Sequence, residues 1–247
     1  MINFKHELLR DDISLEEAIK LQIKYHKILN YQKEKKHIDK ISIENIRWIV
    51  GSDISYFQKE NQEYGLSCAV LWDLKENKIV SYFTAKNLIK FPYKPGFLGF
   101  RECNLLSRAI AKLQKKPDLL ICDGHGIIHP KRFGEAVQLG FALNIPSIGV
   151  AKRPFIGYSE WRSLPKKKGE MVPIWANDPK KILEANQELL GYAICLHDDS
   201  NPVFISVGYK TTLNLAIELT LKTTINHRMP DPLFWADKFS RQEIKLL

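Results

Sequence analysis

Two aspartates stand where an aspartate is hard to accommodate. Asp53 interrupts a strand-like apolar run, after Trp48, Ile49 and Val50 and before Ile54. Asp123 follows the continuous apolar run PDLLIC within CDGHGIIHP, which sets a carboxylate, two glycines and two histidines at one junction. A lone carboxylate in apolar surroundings is strongly disfavoured unless it is paired or metal-bound. Taken singly, Asp53 also reads as a strand-end cap or ion-pair partner, and Asp123 as a plain turn residue. Brought together at one sheet edge, two carboxylates repel, and a hard cation with oxygen ligands relieves the repulsion. Glu102, at the start of the helix expected after FLGFR, is placed to join them.

Carboxylates in a basic chain with no nucleophilic cysteine point to metal-assisted phosphodiester hydrolysis, with Mg²⁺ orienting a water and stabilising charge on the phosphate. Lys152, just past the apolar run IPSIGVA, can add positive charge at the same edge, or be an ordinary exposed lysine. His129 precedes Pro130 at an expected helix start, where backbone N–H groups favour anions, so it either bonds a phosphate or caps the helix. Gly124 and Gly126 are expected to take positive φ and let the backbone meet a ligand closely. His125 is expected to be exposed.

The elements that must position these groups follow from periodicity. Ser14-Leu15-Glu16-Glu17 reads as a capping box opening a helix to about Leu29, followed by an exposed lysine-rich connection, NYQKEKKHIDK. RWIVGSDISYF, LSCAVLWDL and KIVSYFTAK read as an antiparallel meander. A helix with Leu106, Ala109, Ile110 and Leu113 on one face comes next, then PDLLIC as a strand buried on both faces. Pro130 is expected to open a further helix, IPSIGVA to be another buried strand, and GYAICL and PVFISVGY two more. A helix with Leu213, Ala216, Ile217, Thr220 and Leu221 in register precedes a proline-interrupted tail, and residues 158–190 carry little pattern. The alternation indicates an α/β fold with a mixed sheet, an antiparallel meander followed by parallel βαβ units, flanked by helices. We expect one domain over residues 1–247 with an N-terminal helical extension at about 1–40.

With 37 Lys+Arg against 28 Asp+Glu the net charge is +9, which makes nucleic acid a reasonable partner and an anionic membrane a weaker one. Cys68, Cys103, Cys122 and Cys195 form no CxxC pair, which argues against a zinc site or a disulfide framework and fits a reducing compartment. The start has no apolar leader and no run approaches membrane-spanning length, so a soluble, cytoplasmic protein is expected; its oligomeric state stays open, with a monomer as the default.

VGSDISY, PYKPGFLGFRE, PDLLICDGHGIIHPKRFGEAVQLG and IPSIGVAKRPFIG, in that order, resemble the endonuclease V family, and MPDPLFWAD is similar to its C-terminal segment. The resemblance covers roughly residues 40–240. It implies a ribonuclease H-like fold and an enzyme that uses Mg²⁺, with Mn²⁺ as a substitute. That enzyme would nick DNA at the second phosphodiester bond 3′ to deoxyinosine, leaving 3′-hydroxyl and 5′-phosphate ends. Carried over by motif, Asp53, Asp123 and Glu102 would hold the metal, with His129 and Lys152 assisting at the phosphate. Tyr93, between Pro92 and Pro95, would match the family's wedge, an aromatic ring that fills the gap left by an extruded base. Leu98, Gly124 and Gly134 would line the base pocket.

One departure stands out. Where the family usually shows Gly-His after the late strand, this chain has Gly208-Tyr209. A phenol, with an ordinary pKa of about 10, does not replace imidazole as a ligand or proton carrier. Tyr209 is therefore expected to keep the site competent but slower. Alternatively, cleavage is lost and the chain is a recognition module for deaminated bases. Two other readings stay open, a ribonuclease acting on inosine in RNA and a nuclease for branched or flapped DNA.

Overall fold

The computed structural model describes residues 6–34 and 41–247, so the latter part of the lysine-rich connection, residues 35–40, lies outside the described residues. The capping box forms as expected: the Ser14 amide donates to Glu17 Oε2 at 2.9 Å and the Glu17 amide to Ser14 Oγ at 3.2 Å. It opens α1 (Leu15–Glu34), which runs past the expected end. The meander is β1 (Trp48–Lys59), β2 (Gln62–Asp73) and β3 (Lys78–Leu88). Its first hairpin turns on Glu60 and Asn61, both at positive φ, as a two-residue loop matched to strand twist requires.

Then come α2 (Leu98–Ile110), β4 (Leu119–Cys122), α3 (Glu135–Leu143) and β5 (Ser147–Ala151). They are followed by β6 (Met171–Trp175), β7 (Leu189–Ile194), β8 (Val203–Val207), α4 (Leu213–Lys222) and α5 (Asp231–Ile244). Among the described residues the strands form one eight-stranded sheet in the order β3-β2-β1-β4-β5-β8-β7-β6. β4 runs parallel to β1 and β5, and the other pairs are antiparallel, which is the expected mixed, ribonuclease H-like sheet.

Both faces of the central strands are covered, so their sequences are apolar throughout. Val50, Leu120 and Cys122 face α1, α2 and α3, with Phe100, Leu106 and Val137. Ile49, Leu119, Ile121 and Val150 face α4 and α5, with Leu215, Leu219 and Leu233. The N-terminal segment shares the first of these cores through fully buried Leu8, Leu9 and Ala18.

Three expectations change. The helix expected at Pro130 begins at Glu135. Residues 129–134 instead make a compact turn, with Arg132 at φ 51° and the Gly134 amide donating to the Gly126 carbonyl at 3.1 Å. The proline-interrupted tail is largely a helix, α5, because Pro232 falls in its first turn, where no amide donor is needed. β6 was not foreseen: it is a short, half-buried edge strand, the one place where Pro173 is tolerated in a sheet. Among the described residues no helix is long and apolar enough to cross a membrane.

Candidate active site

The pairing of β1 with β4 sets Ser52 beside Cys122, so Asp53 and Asp123 are the next residues on adjacent strands. Asp53 Oδ1 accepts from the Ile54 amide at 2.8 Å. Lys152 directly follows β5, the next strand over, and its ammonium pairs with Asp123 Oδ2. Glu102 comes from the second turn of α2, accepts a hydrogen bond from the Tyr56 hydroxyl, and is 8% exposed. The structure thus brings Asp53, Glu102, Asp123 and Lys152 to the carboxyl edge of the parallel strands, where open α/β sheets bind ligands.

Burial is the main cause of the perturbed acidities. It lifts Asp53 well above the ordinary aspartate range, helped by the Asp123 charge, and raises Asp123 against the pull of Lys152. Glu102 is pushed up to about 7 by burial, although bonds from Tyr56 and Glu135 moderate the rise. Burial works against the Lys152 charge, but Asp123, Asp53 and Asp237 outweigh it and raise its pKa.

Two acids escaped the sequence reading. Asp237, on α5, acts electrostatically on both Asp123 and Lys152 and is held by Arg241 Nε at 2.8 Å. It lies one turn beyond buried Leu233, on the stripe that faces the sheet, and an acid on an apolar stripe was the available signal. Glu135, 4% exposed at the start of α3, is driven far above the carboxylate range by burial and by Glu102. Its side chain is hydrogen-bonded to that of Glu102. It opens a helix, EAVQLGFAL, that is otherwise largely apolar.

Beside the acids lies a cavity of about 280 Å³ whose lining includes Tyr93, Leu98, His125, Phe133, Gly134 and Phe155. Tyr93, on the loop between β3 and α2, is 66% exposed. Gly124 does not line the cavity; it backs onto Glu135, which does. His125 is half-buried rather than exposed, stacked on Phe155, and burial lowers its pKa to about 4.

His129 is not at a helix start, and both ring nitrogens are engaged within the protein. Nδ1 accepts from the Lys131 and Phe133 amides at 3.1 and 3.3 Å, which puts the hydrogen on Nε2, 2.9 Å from the Gly96 carbonyl. Burial lowers its pKa to about 4, so it is neutral. Gly124 and Gly126 need no positive φ. What Gly126 needs is space, since a Cβ there would fall 1.9 Å from the Val207 carbonyl oxygen.

Tyr209 lies away from this edge. Its carbonyl accepts from Ser147 at the start of β5, whereas Lys152 follows the end of that strand, roughly 15 Å further on at about 3.3 Å per residue. The phenol is buried against Phe141 and donates to Asn144 Oδ1 at 3.3 Å. Tyr209 makes no hydrogen bond to the acidic cluster, because β8 runs antiparallel to β5 and carries the residues beyond it to the opposite edge.

The acidic cluster suits a hard divalent cation: several recessed carboxylates raise one another's proton affinity, and one lysine offsets them. Among the described residues no three acidic, histidine or cysteine side chains are already gathered around one point.

A family model described as Endonuclease V matches residues 30–238. Endonuclease V of Dictyoglomus turgidum is 35% identical over 220 residues, 88% of this chain and 90% of that protein. The crystal structure of endonuclease V from Streptomyces avermitilis matches with a TM-score of 0.75 at 29% identity, covering 94% of this chain and 93% of that one. An endonuclease V variant of Ciona intestinalis, crystallised with a 23mer DNA containing an inosine followed by a ribo-adenosine, matches at 0.76 with 27% identity, covering 94% and 99%.

Proposed function

The chain belongs to the endonuclease V family, and on that premise we propose that it is a DNA repair endonuclease directed at deoxyinosine. It nicks the second phosphodiester bond 3′ to the lesion, leaving 3′-hydroxyl and 5′-phosphate ends, with Mg²⁺ as cofactor and Mn²⁺ as substitute. The observation that carries this reading is the acidic edge formed by Asp53, Glu102, Asp123 and Asp237 beside a base-sized cavity fronted by exposed Tyr93. The Ciona complex with inosine-containing DNA supports the same substrate.

Asp53, Asp123 and Glu102, with Asp237, would hold the cation. When bound, it supplies charge stabilisation at the phosphate and an activated water. Lys152 adds positive charge beside the scissile phosphate, where charge builds as the bond breaks. Tyr93 stacks into the gap left by the extruded base and offsets part of the unstacking cost. Leu98, Phe133 and Phe155 give the base apolar walls, and backbone groups near Gly134 meet its edge. His129 acts on the loop that carries Tyr93, through Gly96.

The test is a 5′-labelled strand with one deoxyinosine, incubated with Mg²⁺ and mapped at single-nucleotide resolution, with Asp53→Ala as control. A single metal-dependent nick at the second bond 3′ to the lesion, missing in the control, is expected. Tight binding of the inosine strand in chelator without any cut in Mg²⁺ would instead make the chain a recognition module. The ribo-adenosine in the Ciona DNA favours a second reading, acceptance of inosine in RNA. The same mapping on an inosine-containing RNA strand decides it.

A further inference from the structure

The N-terminal helix reaches the loop that carries Tyr93. Gln22, in the middle of α1, is 1% exposed, and its Nε2 donates to the Gly96 carbonyl at 2.7 Å. His129 Nε2 donates to the same oxygen. One carbonyl, three residues after Tyr93, is thus gripped from two directions, by α1 and by the turn following β4. Gly96 has φ +84°, in the left-handed region, and a Cβ there would stand 3.3 Å from His129 Nε2. The other end of the loop is held by Arg101 Nη1, which donates to the Phe91 carbonyl at 2.8 Å. With both ends anchored, Tyr93 at the tip remains open to solvent.

Burying an amide side chain is unfavourable, and Gln22 Oε1 is buried with no donor among the described residues. A leucine would pack there without that cost, so what the glutamine adds is the grip on Gly96. The helix and the segment before it are themselves tied down. Tyr25 donates to Glu7 at 2.6 Å, and Asn104 and Gln138 donate to the carbonyls of Leu9 and Leu8 at 2.7 and 2.8 Å.

We propose that Gln22 is a positioning residue for lesion recognition: α1 presets the Tyr93 loop through the Gly96 carbonyl and so belongs to the base-extruding apparatus. This rests on the wedge role of Tyr93 given above. A loop held in its working shape loses less freedom on binding, and the gain falls on the complex in which Tyr93 is inserted.

The test compares wild type with Gln22→Glu, which keeps the shape but replaces the donor, and with the milder Gln22→Asn. Affinity for a strand with one deoxyinosine and for the same strand without it is measured by fluorescence anisotropy in chelator. A 2-aminopurine beside the lesion reports unstacking, and single-turnover cleavage at saturating protein gives the chemical step. The inosine preference is expected to fall about tenfold, as for loss of one buried hydrogen bond, with less unstacking signal. Affinity for undamaged DNA and the saturating cleavage rate should stay within about threefold, as the bond touches neither phosphate nor acid cluster. Unchanged preference, or parallel loss of both affinities, would overturn the proposal. A wild type with no preference for inosine would overturn the functional reading instead, so the two failures are distinguishable.

Discussion

Glu102 sits inside an electrostatic conflict among buried acids. It is almost fully enclosed, shares a proton bond with Glu135, receives one from Tyr56 and feels Asp123, and the balance lifts its pKa from 4.5 to about 7. A carboxyl group that holds its proton more tightly when folded stabilises the fold fully below its unfolded pKa. That contribution disappears as pH rises through the folded value. In chelator, Glu102 should therefore cost the protein up to about 3 kcal/mol between pH 5 and 8. Urea unfolding across that range should show the decline in wild type and a flatter profile in Glu102→Gln. A saturating divalent cation should restore stability at pH 8 in wild type but much less in the variant. Identical profiles for the two proteins would place the conflict elsewhere in the cluster.

The elements matter through how closely they approach. α5 brings Asp237 to the acidic edge because its first turn lies directly on β1. A Cβ at Gly51 would be 2.3 Å from the Pro232 carbonyl carbon. Further along, Ser240 bonds Ser55 at 2.7 Å, and Phe239 stacks on Tyr82. Gly51→Ala must push the start of α5 off the sheet, and overpacking of this kind costs about 1–3 kcal/mol. We expect a lower urea midpoint and, at temperatures where the variant is folded, weaker Mg²⁺ binding by calorimetry through a displaced Asp237. Unchanged metal affinity in a destabilised variant would separate α5 from the site. β8 shows the converse, since its direction carries Tyr209 away from the acids. The case for weakened cleavage through Tyr209 thereby loses its geometric basis.

Across the whole molecule the net charge of +9 is the quantity a nucleic acid meets first. Each neutralised phosphate releases counterions, and binding of a single strand through four or more phosphates gives a slope of about −3 or steeper in log affinity against log salt. Titrating the inosine strand from low to physiological salt should show that slope, and the undamaged strand should follow a parallel line. Parallel lines mean that the lesion is read by uncharged contacts, in the cavity behind Tyr93. A steeper inosine line would mean that lesion binding recruits extra basic side chains.

The meander, the buried strands β4 and β5 and the positions of Asp53 and Asp123 are local properties, so the sequence by itself determined them. Strand periodicity, apolar runs bounded by turns and an acid where an acid is disfavoured can all be read within about ten residues. The ordered motifs from VGSDISY to MPDPLFWAD likewise carried the family. Only the tertiary structure decided what depends on approach between distant segments. It put Asp237 and Glu135 into the acidic cluster, withdrew Tyr209 to the far end of β5, and turned His129 and Gln22 onto one carbonyl. Pairing direction and interatomic distance set these relations, and neither is encoded in the spacing of residues along the chain.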